Sequence, residues 1–503
     1  MRVIVGEVIG LDELMAVAEG RADLALGEAA RSRMERSRAA VERLLGPDAP
    51  ATYGINTGFG ALAEIRIAPT QLHALQRNLV RSHAVGVGPA LAREAVRAMM
   101  LVRAQTLALA RSGVRPVVVE RLLALLARDV VPHIPAQGSV GACGDLAPLA
   151  HLALVLIGEG RATVDGELVS GGEALARAAL EPLVLEAKEG LALINGTAAM
   201  LGVGGPALGL AERLVQTADV TGAMSLEALK GSVTPFHEEI LEARRHPGAL
   251  ASAAHLRKLL VDSQIVQSHV DCGEVQDAYS LRCMPQVHGS ARDLVRFAAG
   301  VIAIELDSVT DNPIVGLDGA IRSGGNFHGQ PVAAAFDVAS IALVDLASIA
   351  ERRLAYLVDH HRNRGLPPFL ARQSGLHSGF MMAQVTAASL VAEARAMAVP
   401  RSADSIPTSA EREDHVSMGM TAARALAEIA RMCAWVLAIE AVVAGQGITL
   451  RALTPGVGVA RALACLREVV APLDDDRVLS GDFEAALALV ERGALLQAAG
   501  CAG

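Results

Sequence analysis

Aromatic residues are scarce in this chain, and their scarcity limits how its interior can be built. Only 2% of the 503 residues are Phe, Trp or Tyr, whereas 52% are hydrophobic and 20% are charged. A core made from such a sequence has to be aliphatic. Apolar residues recur with the spacing of amphipathic helices over most of the length, and this periodicity predicts an all-α protein.

Other features are also missing, and each absence excludes a class of protein. The net charge is −9 and no basic stripe occurs, which argues against a nucleic-acid-binding surface. No apolar window approaches the roughly 18 to 20 residues that cross a bilayer, and the N-terminus reaches charge too soon for a signal peptide. The six cysteines form no CxxC pair and no zinc spacing. We therefore expect a reduced, cytoplasmic protein with no membrane segment, no nucleic-acid partner and no metal.

The helical periodicity predicts one mostly helical assembly with two regions. A smaller, loop-rich N-terminal region covers residues 1–200, and a central and C-terminal bundle of long helices covers 201–503. Asp-Gly turns between β-prone residues predict minor hairpins at 163–169 and 314–321. The long helices are predicted at 290–306, 332–360, 378–398 and 415–444. Shorter helices are predicted at 89–111, 115–128 and 146–157, with a loosely ordered end after residue 493.

The most informative segment is 138–151, Gly-Ser-Val-Gly-Ala-Cys-Gly-Asp-Leu-Ala-Pro-Leu-Ala-His. Because Gly144 has no side chain, its nitrogen can reach the carbonyl carbon of Ala142, and loss of water then closes a five-membered ring. Elimination at Cys143 leaves an exocyclic methylidene group, a strong electrophile made from the chain itself. Taken alone, the segment could also be an ordinary Gly-rich loop before a helix.

Three further motifs carry polar groups suited to a site. Tyr53 stands in the Gly-rich stretch 51–60, which suggests a hydroxyl held at an accessible edge. His83 follows Ser82 in the stretch 76–86 and, taken alone, would more often be a core or interface histidine. Asn195 follows an apolar run, where its amide could hydrogen-bond a carbonyl. Each of these motifs has an ordinary structural explanation when it stands alone.

The later part of the chain adds the remaining candidates. Gln276, Tyr279 and Arg282 lie within seven positions of each other, and a guanidinium is a natural partner for a carboxylate. Phe327 follows the second predicted hairpin and offers an apolar wall. Glu413 stands at the predicted start of a long helix, where acidic residues are favoured regardless of function.

In this order, the motifs resemble the aromatic amino acid ammonia-lyases and aminomutases along essentially the whole chain. Ser82-His83 resembles the histidine ammonia-lyases of that family, because the enzymes acting on phenylalanine or tyrosine usually carry Phe-Leu or His-Leu there. The resemblance implies a self-derived methylidene-imidazolone (MIO) formed from Ala142-Cys143-Gly144, with Cys143 where the family has Ser. It also implies an all-α homotetramer whose active sites draw loops from three subunits, with the MIO at the positive ends of several helices.

The resemblance further implies that L-histidine is converted to trans-urocanate and ammonia. The substrate amine adds to the methylidene carbon and thereby becomes a leaving group. The roles implied for the side chains are the α-carboxylate partner (Arg282), the imidazole or amine partners (His83, Glu413), the base and proton donor in either order (Tyr53, Tyr279), the partner of the ring carbonyl (Asn195) and the remaining pocket wall (Gln276, Phe327).

Three alternatives stay open at this point. A related lyase could act on another amino acid, or an aminomutase could return the ammonia to the β-carbon. A non-catalytic protein would keep Cys143 as a plain thiol. Cys143 could also be a nucleophile itself, with His133 or His151 as its base, but the sequence has no matching signature beyond proximity.

Overall fold

Helices dominate the computed structural model, which describes residues 1–46, 48–141, 144–270 and 275–500. The predicted all-α class is confirmed. The helices of the described residues are α1 (Leu11–Ala18), α2 (Glu28–Glu42), α3 (Leu72–His83), α4 (Arg93–Ala108), α5 (Pro116–Ala127), α6 (Leu146–Leu156), α7 (Gly171–Arg177), α8 (Glu189–Ile194), α9 (Ala198–Ala228), α10 (Glu238–Glu242), α11 (Pro247–Leu259), α12 (Gln264–Gln267), α13 (Tyr279–Arg282), α14 (Met284–Leu306), α15 (Gln330–Val358), α16 (Met381–Met397), α17 (Gly419–Arg451), α18 (Val457–Arg467), α19 (Ser480–Glu491) and α20 (Ala494–Ala498).

Short strands form four small sheets in the described residues. The first strand pairs in parallel with the second, and the other pairings are antiparallel. The strands are β1 (Arg2–Val5), β2 (Asp23–Leu26), β3 (Val87–Ala90), β4 (Val131–Pro132), β5 (Pro135–Gln137), β6 (Arg161–Val164), β7 (Glu167–Ser170), β8 (Ile314–Val315) and β9 (Ile321–Arg322). The pairs β6–β7 and β8–β9 confirm the two predicted hairpins.

The chain divides into two compact units. Unit 1 comprises residues 1–209, 298–337 and 400–427, and it contains all the strands described above. Unit 2 comprises residues 210–297, 338–399 and 428–503 and is built from helices. The predicted boundary at residue 200 falls inside α9, which runs without interruption from Ala198 to Ala228.

Unit 1 has α4 at its centre. Every residue of this helix from Val96 to Ala108 is buried, which requires apolar or paired side chains on all of its faces. The helix was predicted to begin at Pro89, but it begins at Arg93. Val87–Ala90 instead form β3, which pairs with β5, so Pro89 lies in a strand and α4 begins three residues after that strand ends.

Unit 2 is organised around long, largely buried helices. The predicted long helices are present as α14 to α17, with ends that differ by a few residues. The largest differences are at α14, which begins at Met284 rather than at 290, and at α17, which ends at Arg451 rather than at 444. The end of the chain also differs from the prediction, because α20 forms after Gly493, which adopts the left-handed conformation that starts a new turn.

One helix corrects the expectation that no apolar stretch is long enough to span a bilayer. α15 has 29 residues, and its most apolar window has a mean hydropathy of 1.9. Within the protein, 67% of that window is buried, and Asp337 near its start accepts a hydrogen bond from the Ser402 N–H at 2.7 Å. The helix is apolar on several faces because it packs on several sides, as core helices do.

Candidate active site

A cavity of about 580 Å³ opens in unit 1 and collects five of the predicted site residues. This volume lies in the range of small-molecule sites. The five residues come from well-separated parts of the sequence and are Tyr53, His83, Asn195, Phe327 and Glu413. Other side chains that line the same cavity include Phe59, Leu79, Leu191, Ile194, Asn312 and Arg412.

Tyr53 is held on a loop that is fixed by a single asparagine side chain. Asn56 accepts a hydrogen bond from the Thr52 N–H at 2.7 Å and donates to the carbonyl oxygens of Leu44 and Pro50. The half-buried Tyr53 ring packs edge-on against Phe59, with ring centroids 6.4 Å apart. The aromatic pair and the asparagine fix the direction of a side chain that a Gly-rich loop would otherwise leave free.

His83 is the last residue of α3, and its ring is oriented by the helix itself. Nδ1 lies 2.8 Å from the carbonyl oxygen of Leu79, one turn earlier. A contact to a carbonyl requires a proton on Nδ1, so in the neutral ring Nε2 carries the lone pair. His83 can therefore accept a hydrogen bond at Nε2 from a ligand in the cavity.

Asn195 ends α8, and its side chain is buried. Nδ2 donates to the carbonyl oxygen of Asn312 at 3.0 Å, while Oδ1 is buried with no hydrogen-bond partner. An unpaired buried acceptor is unfavourable by about 1–3 kcal/mol, so a ligand that donates to Oδ1 would be stabilised there. The second hydrogen of Nδ2 also remains for an acceptor.

Glu413 lies on a strained turn ahead of α17. Its carboxylate accepts hydrogen bonds from the Thr408 hydroxyl at 2.6 Å and from the Ser409 hydroxyl at 2.9 Å. The consecutive residues Ser409, Ala410 and Glu411 all have left-handed backbone angles, with φ of 51°, 55° and 62°. Such angles are costly outside glycine and cluster at functional sites. Glu413 is thus not at the start of the helix, as predicted, but six residues before it.

Gly144 packs against the turn that carries Asn195. Its φ is 74°, and a Cβ added to it would lie 2.2 Å from the Gly196 nitrogen. The Asp145 N–H donates to the Gly196 carbonyl oxygen at 2.8 Å. No residue larger than glycine fits at 144 without moving this backbone. Ala142 and Cys143, the other two residues of the predicted tripeptide, lie outside the described residues.

The Asp145 carboxylate is fully buried at the edge of this loop. Oδ1 accepts from the Ser139 hydroxyl at 2.8 Å, and Oδ2 accepts from the Met200 N–H at 2.7 Å. Burial raises the pKa of the Asp145 carboxyl to about 6, even though these hydrogen bonds and the positive charge of Arg103 oppose the rise.

The N-termini of several helices meet loop 138–145. α6 starts directly after Asp145, and α9 donates its Met200 N–H to that carboxylate. Two more helices begin beside the earlier part of the loop. Just before α17, the Met418 N–H donates to the Val140 carbonyl oxygen at 2.7 Å. Just before α15, the Gly329 N–H donates to the Gly141 carbonyl oxygen at 3.3 Å. Helix N-termini carry a partial positive charge that favours developing negative charge nearby.

The structure does not bring Gln276, Tyr279 and Arg282 to this cavity. All three belong to unit 2, where Gln276 lines a separate pocket and the Tyr279 side chain is 71% exposed. The Arg282 guanidinium lies over the Tyr279 ring at 4.7 Å, and its Nε is buried with no hydrogen-bond partner. Among the described residues, no group of three or more His, Cys, Asp and Glu side chains is placed to hold a metal ion.

Sequence reasoning missed three buried charged residues of unit 1. Arg103, Lys188 and Asp311 are buried in unit 1, and the Lys188 Nζ lies 2.6 Å from Asp311 Oδ2. Burial lowers the pKa of the Lys188 ammonium, and the carboxylate of Asp311 opposes that effect. Their sequence signal was weak, since single charged residues in apolar stretches resemble solvent-exposed positions of amphipathic helices.

The chain is similar to known proteins over nearly its whole length. Residues 9–468 match the model of the aromatic amino acid lyase family. A histidine ammonia-lyase of Sorangium cellulosum (strain So ce56) is 55% identical over 98% of both chains. The solved structure of a tyrosine aminomutase from Streptomyces globisporus has a TM-score of 0.93 and 37% identity, covering 99% of this chain and 98% of its own. That of histidine ammonia-lyase from Trypanosoma cruzi has a TM-score of 0.92 and 39% identity, covering 99% and 95%.

Proposed function

The chain belongs to the aromatic amino acid lyase family, and we propose that it is a histidine ammonia-lyase, which converts L-histidine to trans-urocanate and ammonia. The observation that carries the proposal is the unit 1 cavity, which joins His83 and Glu413 to Tyr53 and Asn195. An imidazole ring and an amino acid backbone need polar partners at both ends of such a cavity, with apolar walls between them.

The electrophile is proposed to form from Ala142, Cys143 and Gly144. The Gly144 nitrogen bonds to the Ala142 carbonyl carbon, and the carbonyl oxygen leaves as water with the hydrogens of the Gly144 and Cys143 nitrogens. Elimination then removes the Cys143 Cα hydrogen and breaks its Cβ–S bond, so that hydrogen sulfide leaves. The surroundings fit this group, because position 144 accepts only glycine and helix N-termini surround the loop.

The MIO would supply an electrophilic carbon that turns the substrate amine into a leaving group. Asn195 would hold the ring carbonyl through the second hydrogen of Nδ2, since the first is bound to Asn312. His83 would accept the substrate imidazole N–H at Nε2, and Glu413, fixed by two hydroxyls, would hold the other polar end. Phe327 closes the cavity as an apolar wall.

Proton transfer is assigned to tyrosine hydroxyls. Tyr53 and Tyr279 act as the base that removes the substrate β-proton and as the proton donor, in either order. A phenol has an ordinary pKa of about 10, so its oxygen needs positive charge nearby to act as a base near neutrality. The helix N-termini that donate to Val140, Gly141 and Asp145 supply partial positive charge of this kind.

Gln276, Tyr279 and Arg282 are proposed to complete the site from other copies of the chain. The assembly would be a cytoplasmic homotetramer, with no membrane segment, no nucleic-acid partner and no metal. Arg282 would bind the substrate carboxylate, for which its unpaired buried Nε is a fitting donor. Arg282→Ala should raise the KM for histidine by about 10- to 100-fold, the usual effect of losing a charge-assisted hydrogen bond.

A matched variant controls for loss of a stacked arginine. Arg362 also lies over a tyrosine ring, that of Tyr356, at 5.2 Å, and it has no role in the proposed site. Arg362→Ala should leave the KM unchanged. Equal KM values for the wild-type protein and Arg282→Ala would contradict the carboxylate assignment.

Product analysis tests the function itself and separates it from aminomutation. The purified protein is incubated with L-histidine, and urocanate, ammonia and β-histidine are quantified together, with L-phenylalanine and L-tyrosine as comparison substrates. We expect one urocanate per ammonia and no β-amino acid. β-Histidine without free ammonia would support an aminomutase, and preference for tyrosine or phenylalanine would overturn the substrate assignment.

A further inference from the structure

Arg103 is a fully buried arginine in the middle of α4. Its Nη1 donates to the backbone carbonyl oxygen of Asn195, whereas Nε and Nη2 are buried with no hydrogen-bond partner. A buried guanidinium with unused donors is expensive to keep in a core. A protein that keeps such a guanidinium therefore depends on its hydrogen bond to the Asn195 carbonyl oxygen or on its positive charge.

The contact of Arg103 falls on the junction between two helices. α8 ends at Ile194 and α9 begins at Ala198, so the Asn195–Gly196 turn joins them. The Asn195 carbonyl is left without a partner by the end of α8, and a cationic donor is a favourable group at that end of a helix. Arg103 therefore fixes the direction of the turn as well as the position of its carbonyl.

The Asn195–Gly196 turn is also packed tightly around Gly196. A Cβ added to Gly196 would lie 2.9 Å from Arg103 Nη1 and 2.5 Å from Thr310 Oγ1. Gly196 in turn contacts Gly144 and accepts the Asp145 N–H. The Arg103 guanidinium therefore contacts the Asn195–Gly196 turn, and the turn in its own right contacts Gly144 and Asp145.

Charges around these layers keep the guanidinium in place. The carboxylates of Asp311 and Asp145 attract it, although burial lowers the pKa of Arg103 to about 10. The group remains cationic at neutral pH. Asp311 is itself paired with Lys188, the residue before α8, so the start of the helix that leads to the turn belongs to the same cluster.

We propose that Arg103 is a positioning residue for formation of the electrophile: it holds the Asn195–Gly196 turn against Gly144, and so keeps the Gly144 backbone in place for ring closure. The inference rests on the proposed function, because it concerns maturation of the same tripeptide. Arg103 acts only through backbone atoms and is expected to touch neither the substrate nor the mature ring. Loss of Arg103 should lower the fraction of chains that mature. The folded structure and its melting temperature should change less than that fraction does.

The test compares two buried arginines of one helix. Arg97 is also buried on α4, but it donates to Val17, Leu126 and Asp129, away from the turn. Wild type, Arg103→Met, Arg103→Lys and Arg97→Met are purified, and intact mass with peptide mapping gives the fraction of chains that have lost water and hydrogen sulfide. Circular dichroism and thermal melting report the fold of each variant separately.

We expect full maturation in the wild type and in Arg97→Met, at least a tenfold lower matured fraction in Arg103→Met, and a slower approach to completion in Arg103→Lys, which keeps the charge but not the planar fork. If Arg103→Met fails to fold, the test uses Arg103→Lys alone. Its rate of maturation is then measured after synthesis in a cell-free system. Wild-type maturation in both Arg103 variants, or in Arg103→Lys where only it folds, would overturn the inference. An unmodified wild type would instead overturn the proposed function.

Discussion

Side chains that face the cavity are oriented by nearby backbone or hydroxyl groups. His83 is fixed by the Leu79 carbonyl, Asn195 by the Asn312 carbonyl, and Glu413 by Thr408 and Ser409. The motifs predict these residues as candidates, and the structure brings five of the predicted residues to one cavity. The sequence could not predict the Asn195–Asn312 contact, which joins positions 117 residues apart, because nothing local to either residue encodes it.

Replacing Tyr53 by Phe removes one hydroxyl and keeps the ring that packs on Phe59. We expect kcat to fall by about 10²- to 10⁴-fold, the usual contribution of a positioned proton-transfer group. Tyr356→Phe is the matched control, since Tyr356 contacts Arg362 and has no proposed role. Steady-state kinetics on L-histidine provide the measurement, and a kcat for Tyr53→Phe within twofold of wild type would refute the role.

At the scale of helices, periodicity located most elements, and the clearest omission was α9. This helix contains Pro206 and several glycines, which usually argue against a helix. The structure explains one of them, because a Cβ on Gly204 would lie 2.1 Å from Cζ of Phe336. Close packing therefore selected residues that local helix propensity disfavours, and sequence reasoning did not predict the helix.

The end of α9 carries a buried acid that should make stability depend on pH. Glu227 accepts hydrogen bonds from the Ser263 hydroxyl and the Gly456 N–H, and burial raises its pKa to about 7. The folded state therefore holds a proton that the unfolded chain releases. This contribution to stability is complete below an ordinary glutamate pKa of about 4.3 and is lost as the pH rises through about 7.

Glu227→Gln should remove that pH dependence. Relative to wild type, the variant should gain up to about 3 kcal/mol between pH 4.5 and pH 8, seen as a rising difference in melting temperature. Glu428→Gln, at an exposed position of α17 paired with Arg431, serves as the control. Parallel melting curves for Glu227→Gln and wild type across this pH range would refute the assignment.

A buried ion pair ties the long helices of unit 2 together. Arg353 of α15 and Glu440 of α17 are both fully buried, and Glu440 also accepts from Thr221 and Ser225 of α9. On its other side, Arg353 contacts His288 at 3.1 Å. Removing one partner of such a pair leaves an uncompensated buried charge.

Arg353→Met should therefore lower the free energy of unfolding by about 3–5 kcal/mol. Adding Glu440→Gln should recover a large part of the loss, because the stranded charge is then removed. Thermal and denaturant unfolding of the two variants beside Glu440→Gln alone gives the coupling between the sites. A double variant no more stable than Arg353→Met would contradict this explanation.

At the scale of the whole molecule, the site residues divide between the two units in a way that the sequence did not indicate. Unit 1 supplies the cavity, and unit 2 carries Tyr279 and Arg282 outside it. Unit 2 also exposes large apolar side chains, with Phe297 56% and Met382 62% accessible. We expect the proposed homotetramer to cover such side chains.

Mixed assemblies test whether Tyr53 and Tyr279 of one site come from different chains. Tyr53→Phe and Tyr279→Phe should each be nearly inactive alone. Co-expressed in equal amounts, they should recover about a quarter of wild-type activity, because random assembly leaves both tyrosines intact in that share of the sites. Variants mixed only after purification, with no exchange of subunits, provide the control. No recovery on co-expression would mean that both tyrosines act from one chain.

The central claim is that Ala142, Cys143 and Gly144 form the electrophile that deaminates histidine. Its most direct test is the intact mass of the purified protein, with peptide mapping across residue 143. Loss of one water and one hydrogen sulfide should lighten the chain by about 52 Da, counted as a covalent self-modification. We expect that deficit, mapped to Ala142–Gly144. An unmodified mass with a Cys143 thiol that still alkylates would contradict the account.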